Sequence, residues 1–582
     1  MLNIFISFKE IFSSAITQIA AENSIQIEEK DLKNFTVEPT KDKSHGDLAC
    51  NIAMILGKKF SAIESLNNPR KLAQKIIEKT DKKDVEKIEI AGPGFINLFL
   101  KPHLFNQVIG KLVLEEKFEF PNLGNGIKVN LEYASPNPTG PIHIGHTRGA
   151  IYGDVLATLL QKCGFDVLRE YYINDAGSQI TILLKSAYLR YLQACGKNVE
   201  IPEGLYPGEY LIPIGEKIKE KFGKNLVENL EKIRDFVVDA MVETIKSDLL
   251  ALGIKHDSYF SEKKNLHDTG KIEKTLKILE EKNLVYVGKL EAPKTEKGVG
   301  ALPEGYDEKD QTLFSSTKFG DDQDRVVKKA DGTPTYFAGD IAYVTSKFER
   351  GAKIFIMPLG YDHAGYVKRL TAAVEALTHG QAQLKIILCQ MVKFVKNGAP
   401  LKMSKRTGNF ITAREVIDEV GADALRFIML TRKNDAPFDF DLAKVIEQSK
   451  DNPIFYVQYA HARCCSVLRQ AQEVMGLKTG SSNLKLLADE SEVELMKKIC
   501  NFPRIIEMTA VNFEPHRIAF YLQELAAEFH ALLNKGMENP DLKFIIKDNL
   551  QLTQARICLI MAVKKIIAEG LGIFNIKAVE EM

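Results

Sequence analysis

Apolar residues near the N-terminus recur at steps of three and four, which is the spacing of one face of a helix. The residues on this face are Phe5, Phe8, Phe12, Ile16 and Ile19. Lys9 and Glu10 interrupt the apolar run and no small-residue cleavage site follows, so we predict domain core and not a secretory signal. A helical pattern at 72–77 and a strand–turn–strand pattern around Gly92-Pro93-Gly94 complete an N-terminal α/β domain at 1–110.

Past this domain the pattern changes to strand, loop, helix and strand, which is one crossover unit of a parallel sheet. Strand, helix and strand patterns return at 353–358, 367–377 and 384–394, beyond a mainly helical stretch. We therefore predict a multidomain α/β protein with a Rossmann-type parallel-sheet domain at 121–440. An insertion of about 176–330 would divide the sheet into two halves.

Helical periodicity dominates after residue 440, so 441–582 should form an all-α domain. A chain of 582 residues needs several domains, and 45% hydrophobic with 27% charged residues is a globular composition. This composition excludes a disordered chain, and we find no apolar run that would span a membrane. The net charge of +1 leaves a nucleic-acid partner open, because a polyanion needs only a local basic surface.

The eight cysteines are scattered without a CxxC pair, which argues against a structural zinc site and against a disulfide framework. Free thiols suit a reducing compartment, so we expect a cytoplasmic protein. Cys464 and Cys465 are expected to be core residues.

The segment from Glu132 to His146 lies between a predicted strand and a predicted helix, where open α/β sheets bind nucleotides. Its prolines and glycines shape a tight turn, and Gly145 would let a nucleotide approach the backbone. The helix that follows presents free N–H groups and a positive dipole to phosphate. His143 and His146 could then donate hydrogen bonds to an α-phosphate, although structural histidines and metal ligands share their spacing.

A basic loop follows a late strand and a predicted hairpin turn at Asn397-Gly398. Lysines at such a place can neutralise departing pyrophosphate, although a basic loop is usually only solvated. The residues of this loop are Lys402, Met403, Ser404 and Lys405. Together, His-Ile-Gly-His at 143–146 and Lys-Met-Ser-Lys at 402–405 resemble the two signatures of class I aminoacyl-tRNA synthetases.

Further segments resemble one family of that class, the arginyl-tRNA synthetases. They are residues 132–146, 172–180, 335–343, 421–430 and 456–463. HGDLACNIAM and AGPGFINL look like that family's additional N-terminal domain, and the resemblance is weakest at about 190–310. It implies an ATP-dependent ligase that forms arginyl-adenylate and transfers arginine to the 3′-terminal adenosine of tRNA(Arg).

The resemblance also assigns roles to individual residues. The guanidinium pocket would contain Tyr336 and Asp340, and the amino-acid end would be held by Glu132 and Asn137. Catalysis would use His143, His146, Lys402 and Lys405. ATP would contact Gly145, His146, Asp362, His363, Met403 and Ser404. Some family members carry a glutamine that contacts arginine where this chain has Gly360, so we do not expect that contact. Carboxylates suit a guanidinium because they pair with it in a bidentate manner.

Asp423-Ala424-Leu425-Arg426 resembles the motif that gives the DALR-type anticodon-binding domain its name. The resemblance implies that Tyr456, Tyr459 and Arg463 contact tRNA, with His461 as a further candidate. Aromatic and basic side chains are suited to unpaired bases and phosphate. Each of them is more often a helix-packing residue.

The resemblance further implies ATP with Mg²⁺, no zinc, no organic cofactor, L-arginine and tRNA(Arg) as partners, no membrane association and a monomer. It also implies that activation requires bound tRNA. Another class I synthetase, such as the cysteinyl enzyme, is an alternative that the absent zinc-ligand cysteines disfavour. A small-substrate adenylyltransferase or a non-catalytic tRNA-binding paralogue are the others. Within the site, Tyr336 could be a sheet aromatic and Asp340 could cap a helix that starts at Ile341.

Overall fold

The N-terminal part of the chain is a small α/β unit. The computed structural model of the protein describes residues 3–290, 294–295, 298–299, 307, 309–400, 411–447, 449, 451–476 and 482–582. The elements of the N-terminal unit are α1 Ile4–Glu22, α2 Glu29–Lys33, β1 Val37–Pro39, β2 Leu48–Cys50, α3 Ile52–Leu56, α4 Pro69–Lys79, β3 Val85–Ala91, β4 Phe95–Leu100 and α5 Pro102–Leu114. The strands form an antiparallel sheet in the order β1-β2-β4-β3, and the predicted helices and hairpin are confirmed.

The apolar face of α1 packs into the core of this unit. All five predicted residues of that face are buried, and Asn3 caps the helix by accepting from the backbone N–H groups of Phe5 and Ile6. Within the described part of the chain, α1 is the one helix long and apolar enough to cross a membrane by length and composition alone. Its buried face accounts for that apolar composition.

A parallel sheet forms the centre of the molecule. The elements from β5 onward are β5 Lys128–Glu132, α6 Thr147–Lys162, β6 Asp166–Ile173, α7 Ser178–Ala194, α8 Ile212–Phe222, α9 Leu230–Ala251, β7 Ser258–Ser261, α10 Lys271–Glu281, β8 Val285–Gly288, β9 Lys294–Thr295, β10 Gly298–Val299, β11 Gln311–Phe314, β12 Arg325–Lys328, α11 Tyr336–Glu349, β13 Ile354–Gly360, α12 Tyr366–Thr378, β14 Gln383–Cys389, β15 Val392–Lys396, β16 Ala399–Pro400, α13 Ala413–Val420, α14 Ala422–Met429, β17 Phe438–Asp441 and α15 Leu442–Val445. The central sheet has the order β14-β13-β5-β6-β7 with every pair parallel.

The strand β7 lies inside the stretch that we predicted as an insertion. It pairs with β6 at the edge of the central sheet, so this stretch is not wholly separate from the sheet. The segment has only four residues, Ser-Tyr-Phe-Ser, and a pattern this short does not distinguish a strand from a loop. The segment becomes a strand because β6 offers it an edge.

The C-terminal part is a helical bundle, as predicted. Its helices are α16 Pro453–Met475, α17 Glu490–Cys500, α18 Phe502–Asn512, α19 His516–Glu538 and α20 Leu550–Ile573. Cys464 and Cys465 are buried in it, which confirms their predicted place in the core. The bundle also contacts the N-terminal unit, where Lys497 pairs with Asp47 at 2.7 Å.

The arginine of the Asp-Ala-Leu-Arg run joins the central sheet domain to the bundle. Arg426 is 1% exposed and donates to three acceptors from distant parts of the chain. These acceptors are the backbone oxygens of Phe574 at 2.5 Å and Leu252 at 2.8 Å, and Oδ2 of Asp154 at 2.5 Å. A buried guanidinium needs several acceptors, so we assign Arg426 a structural role at this junction.

Candidate active site

A cleft of about 680 Å³ opens at the carboxyl ends of the central strands. Ligands of open parallel sheets bind at this edge. The cleft brings together predicted residues that are far apart in the sequence. They are Glu132, Asn137, His143, Gly145, His146, Asp362 and His363.

The loop between β5 and α6 presents two stacked imidazoles to this cleft. The ring centroids of His143 and His146 are 3.5 Å apart, and the planes are inclined by 26°. Nδ1 of His143 accepts the backbone N–H of Gly145 at 3.1 Å. In the neutral ring the proton therefore lies on Nε2, where it can be donated. The loop leads directly into α6, whose N-terminus favours an anion.

Gly145 is required for a reason other than the one expected from the sequence. A Cβ atom at this position would lie 2.9 Å from Cε1 and 3.0 Å from Nδ1 of His143. The small residue thus leaves room for the imidazole of its own loop. Any larger side chain would displace that ring.

The histidine loop is hydrogen-bonded to the chain that follows the predicted lysine loop. The backbone N–H of Ile144 donates to the oxygen of Ile411 at 3.1 Å, and that of Ala413 donates to the oxygen of Ile142 at 2.7 Å. The two signatures are therefore adjacent in space at this end. Residues 401–410, which include Lys402, Met403, Ser404 and Lys405, lie outside the described residues.

The predicted turn ahead of that loop is confirmed. Asn397 and Gly398 have φ of 53° and 77°, and they connect β15 to β16 in an antiparallel hairpin. Both residues tolerate a positive φ, as this two-residue turn requires.

Three side chains that we did not predict hold the backbone of the histidine loop. The hydroxyls of Tyr171 and Tyr210 donate to the oxygens of Pro136 at 2.6 Å and Thr139 at 2.7 Å. Nε2 of His256 donates to the oxygen of Tyr133 at 3.1 Å. Burial lowers the pKa of His256 to about 4, so this ring is neutral at physiological pH. No motif marks these residues, because their partners are backbone atoms.

Glu132 ends β5 at the edge of the cleft and forms a buried ion pair. Its Oε2 accepts from Nζ of Lys347 at 2.6 Å, and the two side chains are 9% and 0% exposed. Below it Glu170 accepts from Asn130, Tyr343 and Arg350. Although burial opposes ionisation of Glu170, the Arg350 guanidinium and the nearby Lys347 charge hold its pKa at about 2.

The remaining predicted residues of the cleft have polar neighbours of their own. Nδ2 of Asn137 donates to Oε1 of Gln179 at 2.9 Å. Nε2 of His363 lies 3.6 Å from Oδ2 of Asp362, and both side chains are exposed. A Cβ at Gly360 would lie 2.3 Å from Oδ1 of Asp362, so a glutamine could not occupy this position without displacing that carboxylate.

Tyr336 lies in a second cavity of about 640 Å³ rather than in the first. It starts α11 and is 69% exposed, so it is not a sheet aromatic. Asp340 lies one turn further along the same helix and is half-buried. The alternative that Asp340 caps a helix starting at Ile341 is wrong, because the cap is Thr335, whose hydroxyl accepts from the backbone of Ala338.

Tyr172 connects the two cavities, since it lines the first and lies against two carboxylates near the second. Burial, and the neighbouring carboxylates of Glu262 and Asp340, raise the pKa of Tyr172 well above its ordinary value. Its hydroxyl therefore remains a donor. Glu262 lines the second cavity and accepts from Nε2 of His267 at 3.2 Å. We did not predict Glu262, because it lies in the stretch where the resemblance is weakest.

Part of the predicted tRNA-binding set forms an aromatic stack on α16. The Tyr459 ring lies 5.3 Å from the ring of His530 with planes 20° apart, and the Arg463 guanidinium lies 5.6 Å from the Tyr459 centroid. Tyr456 packs at 4.7 Å on the other side of His530. His461 is different, because it is 2% exposed and bonded to the oxygen of Val579, so it packs in the bundle.

Comparison with known proteins decides the family. A relative from Ruegeria pomeroyi, named arginine–tRNA ligase, is 48% identical over 100% of both chains. Another of that name from Brucella anthropi is 50% identical over 95% of both. The chain belongs to the arginyl-tRNA synthetase family.

The family models follow the same order along the chain. They are the arginyl-tRNA synthetase N-terminal domain at 7–100, the class I tRNA synthetase (R) catalytic domain at 108–287, the class I (I, L, M and V) model at 339–441 and the DALR anticodon-binding domain at 457–582. The arginyl-tRNA synthetase of Plasmodium falciparum shares the fold with a TM-score of 0.74 and 16% identity over both full chains. The predicted fold class is thereby confirmed.

Proposed function

We propose that the chain activates L-arginine with ATP and transfers it to the 3′-terminal adenosine of tRNA(Arg). The observation that carries this proposal is the stacked histidine pair at the head of α6, opening onto the cleft of a chain from this family. The arginine carboxylate would attack the α-phosphate, and the terminal ribose hydroxyl would then attack the adenylate carbonyl. Neither step needs a covalent enzyme intermediate.

In the first step, negative charge develops on the α-phosphate. The Nε2 proton of His143, the ring of His146 and the N-terminus of α6 would stabilise that charge. Lys402 and Lys405 would neutralise the departing pyrophosphate, with Met403 and Ser404 beside ATP. Gly145, Asp362 and His363 complete the proposed ATP contacts.

Arginine would lie across both cavities. Its guanidinium would pair with Asp340 and Glu262 beside Tyr336, because two carboxylates suit its planar set of donors. Glu132 and Asn137 would hold the amino-acid end near the histidines. Lysine, with a compact ammonium, would leave these acceptors incompletely paired, and unmade polar contacts of this kind give strong discrimination without editing.

ATP is the expected energy source of a class I synthetase, and Mg²⁺ would enter with it. Among the residues that the structure describes, no group of three His, Cys, Asp or Glu side chains could hold a metal ion. The phosphates themselves would therefore be its main ligands. We assign no step to the ion.

The tRNA would contact more than one domain. We propose an additional tRNA-binding domain at 1–110, a catalytic domain at 121–440 with its insertion at about 176–330, and an anticodon-binding domain at 441–582. Tyr456, Tyr459 and Arg463 would stack on unpaired anticodon bases or contact phosphate. The proposed enzyme is a cytoplasmic monomer.

ATP–pyrophosphate exchange with each of the twenty amino acids, run with and without total tRNA, tests the proposal. We expect exchange with arginine alone and only when tRNA is present. Exchange with another amino acid would refute the substrate. A chain that binds tRNA but exchanges with none would be a non-catalytic paralogue.

A further inference from the structure

Lys347 is a fully buried lysine, which is rare for a charged residue. It lies in the last turn of α11 with 0% of its side chain exposed, and Glu132 at the edge of the cleft is its partner at 2.6 Å. Its Nζ also lies 4.2 Å from the ring centroid of Tyr343. Apolar residues of the same size would often stabilise a fold equally well, so a buried pair at this place points to a use for the charge.

The surroundings show that Lys347 serves Glu132 in particular. The other buried carboxylate nearby, Glu170, has Arg350 as its own cation. Tyr343 lies between the two pairs, because its hydroxyl donates to Oε1 of Glu170 at 2.8 Å while its ring faces Lys347. Each carboxylate therefore has its own cation, and of these two carboxylates only that of Glu132 lines the cleft.

We propose that Lys347 is a positioning residue for arginine, fixing the Glu132 carboxylate so that it can receive the substrate α-ammonium. This inference rests on the proposed role of Glu132 at the amino-acid end. A carboxylate has about four acceptor sites, so the bond from Lys347 leaves acceptor capacity for a second donor. Lys347 also balances the charge of Glu132 in a site that is almost closed to water, where an unpaired carboxylate would be costly.

The test compares K347M, K347R, E132Q and the double variant E132Q/K347M in aminoacylation. The Michaelis constants for arginine and ATP are measured together with the inhibition constant of 5-guanidinopentanoate, which is arginine without its α-ammonium. We expect K347M to raise KM for arginine about 10- to 100-fold, the effect of losing a charged hydrogen bond. KM for ATP and the inhibition constant of 5-guanidinopentanoate should change less than about twofold, within the ordinary scatter of surface effects.

Two further comparisons separate positioning from general destabilisation. K347R, which keeps the charge, should lie closer to the parent enzyme, and K347M should add nothing once Glu132 is already Gln. The matched control is R556M, which breaks a pair of the same 2.6 Å length and similar burial, Arg556 with Glu492, in the C-terminal bundle. It should lower thermal stability without changing KM for arginine.

The outcomes are distinguishable. If E132Q raises KM for arginine and K347M does not, the inference is wrong while the proposed site stands. If neither variant changes it, the role proposed for Glu132 is wrong. If K347M weakens arginine, ATP and 5-guanidinopentanoate alike, Lys347 only stabilises the fold and the inference is overturned. The double variant removes both charges, so it reports on the site even if K347M alone folds poorly.

Discussion

Single residues of the histidine loop have little freedom to vary. Gly145 supplies the backbone donor for Nδ1 of His143 and leaves room for its ring. The ring of His146 stacks on that of His143. Catalysis by preorganised donors depends on such placement, because a donor that must first reorient loses most of its advantage.

We expect Gly145→Ala to lower kcat of aminoacylation about 10- to 100-fold, as a displaced charge-stabilising donor does. The added methyl would come within 3.0 Å of the His143 ring and push it from its place. The control is Gly572→Ala in α20, where a methyl meets nothing within 4 Å. Steady-state kinetics at saturating substrates measures the change, and equal activity of the two variants would contradict it.

Asp340 is a second residue whose charge should matter more than its shape. We expect Asp340→Asn to raise KM for arginine roughly 100-fold and to leave KM for ATP almost unchanged, because a buried charge partner of the guanidinium is lost. Glu349→Gln on the same helix is the control, since that exposed carboxylate pairs only with Lys271 among the described ion pairs. An unchanged arginine KM in the Asp340 variant would remove this residue from the pocket.

Among the elements, α16 shows how one helix can carry both packing and recognition. Its inner face buries Val457, Ala460 and Cys464 in the bundle. Tyr456, Tyr459 and Arg463 remain half-buried around His530, so their faces stay partly accessible. A stack of aromatic rings beside a guanidinium is a suitable platform for unpaired bases.

Tyr459→Ala should therefore raise KM for tRNA about tenfold, the usual effect of losing one base–aromatic stack. KM for ATP and arginine should stay the same, because the cleft lies in another domain. Tyr286→Ala, which removes an exposed tyrosine from β8, serves as the control. Aminoacylation at varied tRNA concentration decides, and equal tRNA constants in both variants would assign Tyr459 to packing alone.

Over the whole molecule, buried histidines make stability depend on pH. Burial lowers the pKa of His256, His461, His516 and His530, so each is neutral in the fold. In the unfolded chain their pKa returns to about 6.5. The stability from neutral histidines is thus complete above pH 6.5 and is lost as the pH falls, for His256 down to about 4.

We expect the urea midpoint of unfolding to fall between pH 7.5 and 5, with His256 alone contributing on the order of 3 kcal/mol over its full range. Glu170 does not contribute in this window, because its pKa of about 2 in the fold means that its effect is lost only below the ordinary glutamate range. His256→Gln should reduce the slope of midpoint against pH. A midpoint that stays level or rises on acidification would refute the histidine account.

The sequence by itself determined the order of domains, the crossover unit around the histidine loop, the hairpin before the lysine loop and the buried face of α1. These features arise from local periodicity and turn chemistry, which short segments express without distant partners. Motif resemblance also named most residues of the cleft. The tertiary structure alone decided the place of β7, the separation of Tyr336 from the first cavity and the carboxylate of Glu262 near Asp340. It also decided the partners of Glu132, of Arg426 and of the loop backbone, because these contacts join residues 70 to 270 positions apart and leave no periodic trace.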